Sequence, residues 1–410
     1  MNTLQDSKFQ WKDVANAAVI VAALGYFVDV YDLVLFLIVG KKSLADIGIA
    51  PELVIEKFQY LLNVQMIGML VGGLFWGILG DKKGRLSVLF GSILMYSLAN
   101  IANGFVTSLD MYIVLRFVAG VGLAGELGAG ITLVSEIMEK EKRGYGTMIV
   151  ASVGVTGAVV AALVAKAGWQ TAYFIGGGLG LSLLLLRIGV FESGMYKKVE
   201  NDVTKKGDFF SLFANKDRAW RYINSILLGL PVWFIIGILV GIAPVYAKEL
   251  GIDGTVEDGM SVMFCYTGLV FGDIASGALS QYLRSRKKIF YIFYALSFFI
   301  VILYLSLQHI TNTQFYILIT LLGFSVGFWA MFVTNAAEQF GTNIRATTTT
   351  TVPNFVRGSL VLIVMLFKFM KQHLGLINGT FVVAFVVFSI SLLALFYTKE
   401  TFGKDLDYTE

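Results

Sequence analysis

Long apolar stretches, separated by short polar segments, run along almost the whole chain. A membrane-spanning helix needs about 20 mostly apolar residues, and twelve stretches meet that length. We predict spans at residues 14–40, 58–80, 86–104, 109–138, 144–165, 171–192, 220–247, 259–283, 287–308, 313–338, 348–370 and 376–398. The pattern therefore predicts an all-α membrane protein.

The longest polar segment, residues 193–219, follows the sixth predicted span. It divides the twelve spans into six and six. We predict a six-helix bundle over residues 1–192, a cytoplasmic linker over 193–219, and a second six-helix bundle over 220–410 that ends in a short cytoplasmic tail.

The two halves repeat each other. Three glycines recur 200 residues apart: Gly68 with Gly268, Gly72 with Gly272, and Gly77 with Gly277. A glutamate and an arginine recur 202 residues apart: Glu136 with Glu338, and Arg143 with Arg345. Duplicated halves are common among secondary transporters, so the offsets predict two pseudo-symmetric bundles.

Composition supports a membrane protein. Hydrophobic residues make up 57% of the chain and charged residues 15%, whereas soluble domains carry about 25% charged residues. With one cysteine, Cys265, and two histidines, we expect no disulfide framework and no metal site. The formal net charge of +4 is small, so we expect lipid and a small-molecule substrate as partners, with no nucleic acid.

The distribution of basic residues predicts the orientation. Most of the 32 lysines and arginines fall in the loops on the side of the N-terminus, and such loops are usually cytoplasmic. Residues 1–13 are polar and no cleavage pattern follows them, so the first apolar stretch is read as a span rather than a signal peptide. We expect a multi-pass protein of the cytoplasmic (inner) membrane with both termini in the cytoplasm.

The loop after the second span carries a charged motif. Residues 80–85 read Gly-Asp-Lys-Lys-Gly-Arg. Charge bias alone would explain the two lysines, but not Asp81 and the glycines. The motif resembles the signature loop of the major facilitator superfamily, Gly-x-x-x-Asp-Arg/Lys-x-Gly-Arg.

Further motifs narrow the resemblance. Within span four, Arg116 is followed by several glycines and then by Glu126. The sixth span ends in Glu192-Ser193, and the twelfth is followed by Glu400-Thr401. These features resemble the branch that contains sugar porters, organic ion transporters and metabolite:proton symporters. The resemblance implies a central cavity lined by spans one, four, seven and ten. Span seven lacks the glutamine-rich motif of sugar porters, which argues against a sugar substrate.

One difference separates the two halves. Gln281 and Ser285 stand at the repeat positions of Asp81 and Arg85. We therefore expect the corresponding loop of the second half to have lost its charged motif.

Charges inside the spans are the candidate chemistry, because an ionised group in hydrocarbon usually faces a cavity or a partner. Asp29 and Asp32 share a face of span one, since they are three residues apart. Arg116 lies at a comparable depth in span four. We predict that these three residues form a proton-coupling or substrate site; a static salt bridge that fixes helix packing is the alternative.

Four further residues are candidates for the cavity. Glu126 is either a proton site or a polar contact near the inner face. Asp273 and Arg357 either bind substrate or pair with each other, and we favour the pair. Tyr26, one turn before Asp29, is a cavity candidate on span one.

A second group of charges lies at the cytoplasmic ends of the spans. We predict that Asp81 and Arg85 form a latch with the end of span four, with Glu136 as the carboxylate. The predicted latch comprises Asp81, Arg85, Glu136, Arg143, Glu338 and Arg345.

The leading hypothesis is a secondary active transporter that moves a small polar or charged organic metabolite by alternating access. The resemblance implies proton-coupled symport, with the proton as coupling ion, no other cofactor, and a monomeric protein. A proton-coupled exporter or antiporter, and a transporter-like substrate receptor, are the alternatives. A membrane enzyme is least favoured, because no nucleophile–base set is visible.

Overall fold

The computed structural model describes residues 17–139, 142–188 and 206–410. In those ranges twelve helices are long and apolar enough to cross a membrane, and all named elements are helical. The spans are α1 Ala17–Asp46, α2 Pro51–Lys83, α3 Arg85–Asn103, α4 Leu109–Ile137, α5 Arg143–Ala167, α6 Trp169–Leu186, α7 Lys216–Val240, α8 Asp258–Leu283, α9 Arg286–Ser306, α10 Asn312–Gln339, α11 Arg345–Leu374 and α12 Leu376–Tyr397. The predicted fold class is confirmed.

Each predicted span corresponds to one of these twelve spans. The apolar stretch in the sequence is shorter than the helix in several of them. α1 continues to Asp46, and α2 begins at Pro51, before the predicted residue 58. Backbone hydrogen bonds of a helix extend into the polar interface, where charged side chains remain hydrated. Residues 189–205, with Glu192-Ser193 and much of the predicted linker, lie outside the described residues, so the boundaries of the halves stay predictions.

Three spans are interrupted. α4 consists of the helices Leu109–Leu123 and Glu126–Ile137, and α10 of Asn312–Ser325 and Trp329–Gln339. α7 contains a π-helical turn, Ile235–Val240. Such breaks release backbone N–H groups inside the bundle, where side chains can accept from them.

The repeated glycines allow close helix packing within each half. A methyl group at Gly68 or Gly72 would collide with the backbone of α4, and one at Gly268 or Gly272 with the backbone of α10. Since the same positions serve the same purpose in both halves, this packing agrees with the duplication.

The third glycine of each set packs across the two halves. A Cβ atom at Gly77 would lie 2.9 Å from Cα of Thr347 on α11, and one at Gly277 would lie 2.8 Å from Cβ of Met148 on α5. α2 thus packs on α11, and α5 on α8. We call the end of the bundle that carries residues 80–85 the inner end, because that loop is predicted to be cytoplasmic.

Candidate functional site

A small cavity lies between the two halves. Its walls come from both bundles: Tyr26, Val30, Leu33 and Val155 from the first, and Val232, Trp233, Ile236, Tyr266, Leu269, Trp329 and Arg357 from the second. The lining is apolar and aromatic apart from one charged side chain. No residue of α4 is among these, so the expectation that Arg116 faces the cavity is wrong.

Arg357 of α11 supplies the charge of the cavity. It is buried, its Nη1 donates to Oδ1 of Asn354 at 3.1 Å, and its guanidinium lies 5.8 Å from the ring centre of Trp329. Its Nε atom has no hydrogen-bond partner among the described residues. An arginine in this position can bind a planar anion by donating hydrogen bonds to it.

Asp29 of α1 is fully buried one turn after Tyr26. Neither of its carboxylate oxygens has a hydrogen-bond partner among the described residues. Of the charged side chains around it, Arg357 interacts with it most strongly. Among the described residues Arg116 forms an ion pair with Asp32 and not with Asp29, and the joint role of these three residues in coupling stays a prediction.

Asp32 and Arg116 do lie together inside the first bundle. Nη2 of Arg116 is 3.9 Å from Oδ2 of Asp32, and Nη1 donates to Gln65 at 3.4 Å. The guanidinium lies 5.0 Å from the ring centre of Phe36 and 5.4 Å from that of Tyr173. Both groups are fully buried, so the pair is held in place by aromatic packing as well as by charge.

Glu126 forms an ion pair that the sequence reasoning missed. Arg187 of α6 donates to both of its carboxylate oxygens, at 2.6 and 3.1 Å, and Ser92 of α3 donates at 2.7 Å. The signal that could have found this pair is the need of a buried carboxylate for a cation at matching depth.

Asp273 and Arg357 form no ion pair in the described structure, so the favoured pairing is wrong. Oδ1 of Asp273 instead accepts from the backbone N–H of Ala330 at 3.2 Å. Ala330 lies in the first turn of the inner helix of α10, whose N–H groups are left free by the break. A carboxylate at a helix N-terminus is stabilised by these donors and by the helix dipole.

The inner end is closed by a buried network of charges. Asp81 accepts from the backbone N–H groups of Ala346 and Thr347 at 2.9 and 2.8 Å, and its Oδ1 lies 3.5 Å from Arg85. Arg85 donates twice to Glu136, at 2.7 and 3.1 Å. Glu136 also accepts from Arg345 of α11 at 2.8 Å. The network thus joins the first half to the second.

A second network mirrors the first. Arg286 donates to Glu338 at 3.0 and 3.3 Å, and Arg143 of α5 lies 3.6 Å from the same carboxylate. Arg286 opens α9 as Arg85 opens α3.

The second half has therefore kept its arginine, and the expected loss of the charged motif is only partly correct. Arg284 adopts a left-handed conformation with φ of 47° and lengthens the loop, so the counterpart of Arg85 is displaced by one residue.

A comparison of the whole sequence with protein families decides the class of the chain. The sequence profile of the Major Facilitator Superfamily matches residues 20–362. The chain belongs to the major facilitator superfamily. This family membership means that the protein is a transporter rather than an enzyme. The two charge networks at the inner end and the central cavity are therefore parts of a transporter.

Curated relatives of this superfamily member are transporters. It is 31% identical over 223 residues to the putative niacin/nicotinamide transporter NiaP of Bacillus subtilis (strain 168), a match that spans 53% of each chain. It is 27% identical over 354 residues to the probable 4-methylmuconolactone transporter of Cupriavidus pinatubonensis, covering 81% of this chain and 80% of that protein. The match to the first relative thus spans about half of that protein's length.

Solved structures share the fold of this superfamily member. The proton:xylose symporter XylE, bound to 6-bromo-6-deoxy-D-glucose, aligns with 98% of this chain and 99% of its own, with a TM-score of 0.76 and 13% identity. The Escherichia coli fucose:proton symporter FucP aligns with 94% of this chain and 99% of its own, with a TM-score of 0.74 and 12% identity. At such low identity these likenesses concern the fold alone.

Proposed function

We propose that this chain is a proton-coupled transporter of a small organic anion with an apolar or aromatic body. It works by alternating access around the cavity between the two halves. The observation that carries the proposal is the buried Arg357, the one charged residue in the lining of an otherwise apolar and aromatic cavity.

The lining supports an anionic substrate of modest size. Most small-molecule sites are largely apolar with a few placed polar groups. Here the rings of Tyr26, Trp233, Tyr266 and Trp329 would contact the body of the substrate. Arg357 would bind its carboxylate, because a guanidinium matches the geometry of two carboxylate oxygens.

Proton coupling follows from the position of Asp29. A buried carboxylate is costly to keep charged without a partner, and Arg357 is the cation of the second half that acts on Asp29. A substrate anion would compete with Asp29 for the guanidinium, so binding of the anion together with a proton on Asp29 would leave Arg357 with one anionic partner. Substrate and proton would then favour each other's binding, which is the linkage that symport needs.

The names of the relatives agree with this chemistry. Niacin, in the name of the Bacillus subtilis relative, is an aromatic carboxylate, the combination that the aromatic lining and Arg357 would bind. The proposal includes a location in the cytoplasmic membrane with the inner end in the cytoplasm. It also includes a monomeric protein.

The test compares ligands that differ only in charge. Purified protein in proteoliposomes would be offered nicotinate with nicotinamide, and benzoate with benzamide, under an inward proton gradient. We expect accumulation of at least one acid and not of its amide. Arg357→Gln should abolish accumulation of the acid, whereas Arg357→Lys should retain part of it because the charge is kept.

Asp29→Asn separates binding from coupling. We expect exchange of the labelled acid to survive while accumulation driven by the proton gradient is lost. Asp110→Asn is the matched control, because it makes the same chemical change at an exposed carboxylate in the first turn of α4, outside the cavity lining. Equal transport of an acid and its amide by the wild-type protein, or accumulation unaffected by Arg357→Gln, would refute the proposal.

A further inference from the structure

One face of α3 carries a row of buried polar side chains inside the first bundle. Ser92, Tyr96, Asn100 and Asn103 follow one another at helical spacing, and Ser97 lies beside them. All five are fully buried. At 1.5 Å per residue the row is about 16 Å long, which is half the thickness of the hydrocarbon core.

Most of this row lacks partners. The hydroxyls of Tyr96 and Ser97, both polar atoms of the Asn100 amide, and Oδ1 of Asn103 have no hydrogen-bond partner among the described residues. Buried polar atoms are rarely left unpaired. Five such atoms along one helix face point to bound water molecules, each of which needs two to four polar partners.

Glycines on the neighbouring helices face this row. A methyl group at Gly180 of α6 would collide with Ser97, and one at Gly176 would lie 3.6 Å from Nδ2 of Asn100. On α4, a methyl group at Gly122 would lie 2.7 Å from Cβ of Tyr96. The absence of side chains at these positions lets the polar groups remain in the interior without displacing the helices.

The row ends at the two ion pairs of the first bundle. At the outer end, Asn100 lies near the carboxylate of Asp32, the partner of Arg116, but no direct hydrogen bond with good geometry joins the two side chains. At the inner end, Ser92 donates to Glu126, the partner of Arg187. Tyr96 lies between them, within electrostatic range of Asp32 and Glu126.

We propose that the polar face of α3 is a hydrated proton path that connects Asp32 to Glu126, in addition to the coupling of Asp29 and Arg357 on which it rests. A proton that leaves the Asp32 carboxyl passes along water held by Asn100 and Ser97. The Tyr96 hydroxyl then accepts a proton from one side as it gives up its own to the other. Glu126 receives it and loses its charge interaction with Arg187.

The break in α4 suits this role. Glu126 is the first residue of the inner helix of α4, so a movement of that helix would change its distance from Arg187. The proton accepted on Glu126 could then leave toward the inner end. Asp29, Arg116 and Arg187 are the other charged groups near the path, and none of them interrupts the row on α3.

Water next to Tyr96 is tested without any transport. Brief X-ray radiolysis oxidises aromatic side chains that have bound water beside them, and mass spectrometry locates the oxidation. We expect Tyr96 to be oxidised although it is buried, and less so in Asn100→Leu. Tyr304 is the internal control, because it is equally buried and its hydroxyl donates to the carbonyl of Leu239 at 3.0 Å.

The role of the path is tested by proton uptake into proteoliposomes that contain a pH-sensitive dye, with nicotinate or benzoate as substrate. Tyr96→Phe removes only the hydroxyl, so folding should be retained. We expect this variant and Asn100→Leu to lower proton uptake by about tenfold or more, with substrate exchange changed by less than about twofold. Thr320→Val is the matched control, because its hydroxyl bonds only its own helix, at Tyr316.

Each result bears on a different part of the proposal. If Tyr96 is as unreactive as Tyr304, the row is dry and the path is refuted. If Tyr96 is oxidised but both variants take up protons normally, the water is structural and the path is also refuted, while the proposed function stands. If the wild-type protein moves substrate without protons, the proposed function fails and the path fails with it.

Discussion

Glu136→Gln tests whether the inner network holds the two halves together. Glu136 accepts two hydrogen bonds from Arg85 in its own half and one, at 2.8 Å, from Arg345 in the other. Opening the inner end separates the halves, so the bond to Arg345 is broken, whereas the bonds to Arg85 are kept. Glutamine keeps the shape of the side chain and one acceptor oxygen, but removes the charge.

The size of the effect follows from that one bond. A hydrogen bond to a charged acceptor contributes about 1.5–3 kcal/mol, and a neutral one about 0.5–1.5 kcal/mol. The substitution should therefore weaken the closed inner end by about 1–2 kcal/mol, which shifts the population toward the inward-open state by about 5- to 30-fold.

A reporter cysteine behind the network measures this shift. Met148 is buried between the halves, next to Gly277 and Arg286. Met148→Cys would be combined with Cys265→Ala, which removes the native thiol, and labelled from the inner side with an impermeant maleimide. We expect the labelling rate to rise by about 5- to 30-fold in the presence of Glu136→Gln.

Glu139→Gln is the control for this experiment. It makes the same chemical change at the same end of the bundle, but the side chain of Glu139 is 71% exposed and pairs with Lys142 of its own half, at 3.2 Å. An unchanged rate in Glu136→Gln, or an equal rise in Glu139→Gln, would show that the network does not set the equilibrium.

Three further predictions concern stability, each measured by thermal unfolding in detergent. Arg187→Gln should destabilise the protein by about 3–5 kcal/mol, because Glu126 is left buried and unpaired, and adding Glu126→Gln should recover part of the loss. Lys41→Ala should change stability by less than about 1 kcal/mol, since its pair with Asp258 is half exposed. Partial burial favours the neutral form of Glu400, but hydrogen bonds from Ser285 and backbone N–H groups lower its pKa overall. Its stabilising contribution is thus present at neutral pH and lost as the pH falls through its folded-state pKa, below the ordinary value of 4.5, so Glu400→Gln should be less stable than wild type at pH 7 and similar to it in acid.

The number and order of the spans could be read from the sequence, because an apolar stretch of sufficient length becomes a helix in hydrocarbon whatever its neighbours are. The inner-end charges were predictable for a related reason. Asp81, Arg85 and Glu136 lie close to helix ends, where short loops bring them to one face of the membrane. The glycine offsets also indicated two pseudo-symmetric bundles, since their spacing repeats in both halves.

The tertiary structure alone decided the partners of the charges inside the membrane. Asp29 and Asp32 lie on one face of α1, yet Asp32 pairs with Arg116 whereas Asp29 faces Arg357. Depth along a helix can be counted from the sequence. The rotation of a helix about its axis cannot, because it depends on side chains that pack against it from residues far away in the chain. That rotation determined the cavity lining, the pairing of Glu126 with Arg187, and the buried polar face of α3.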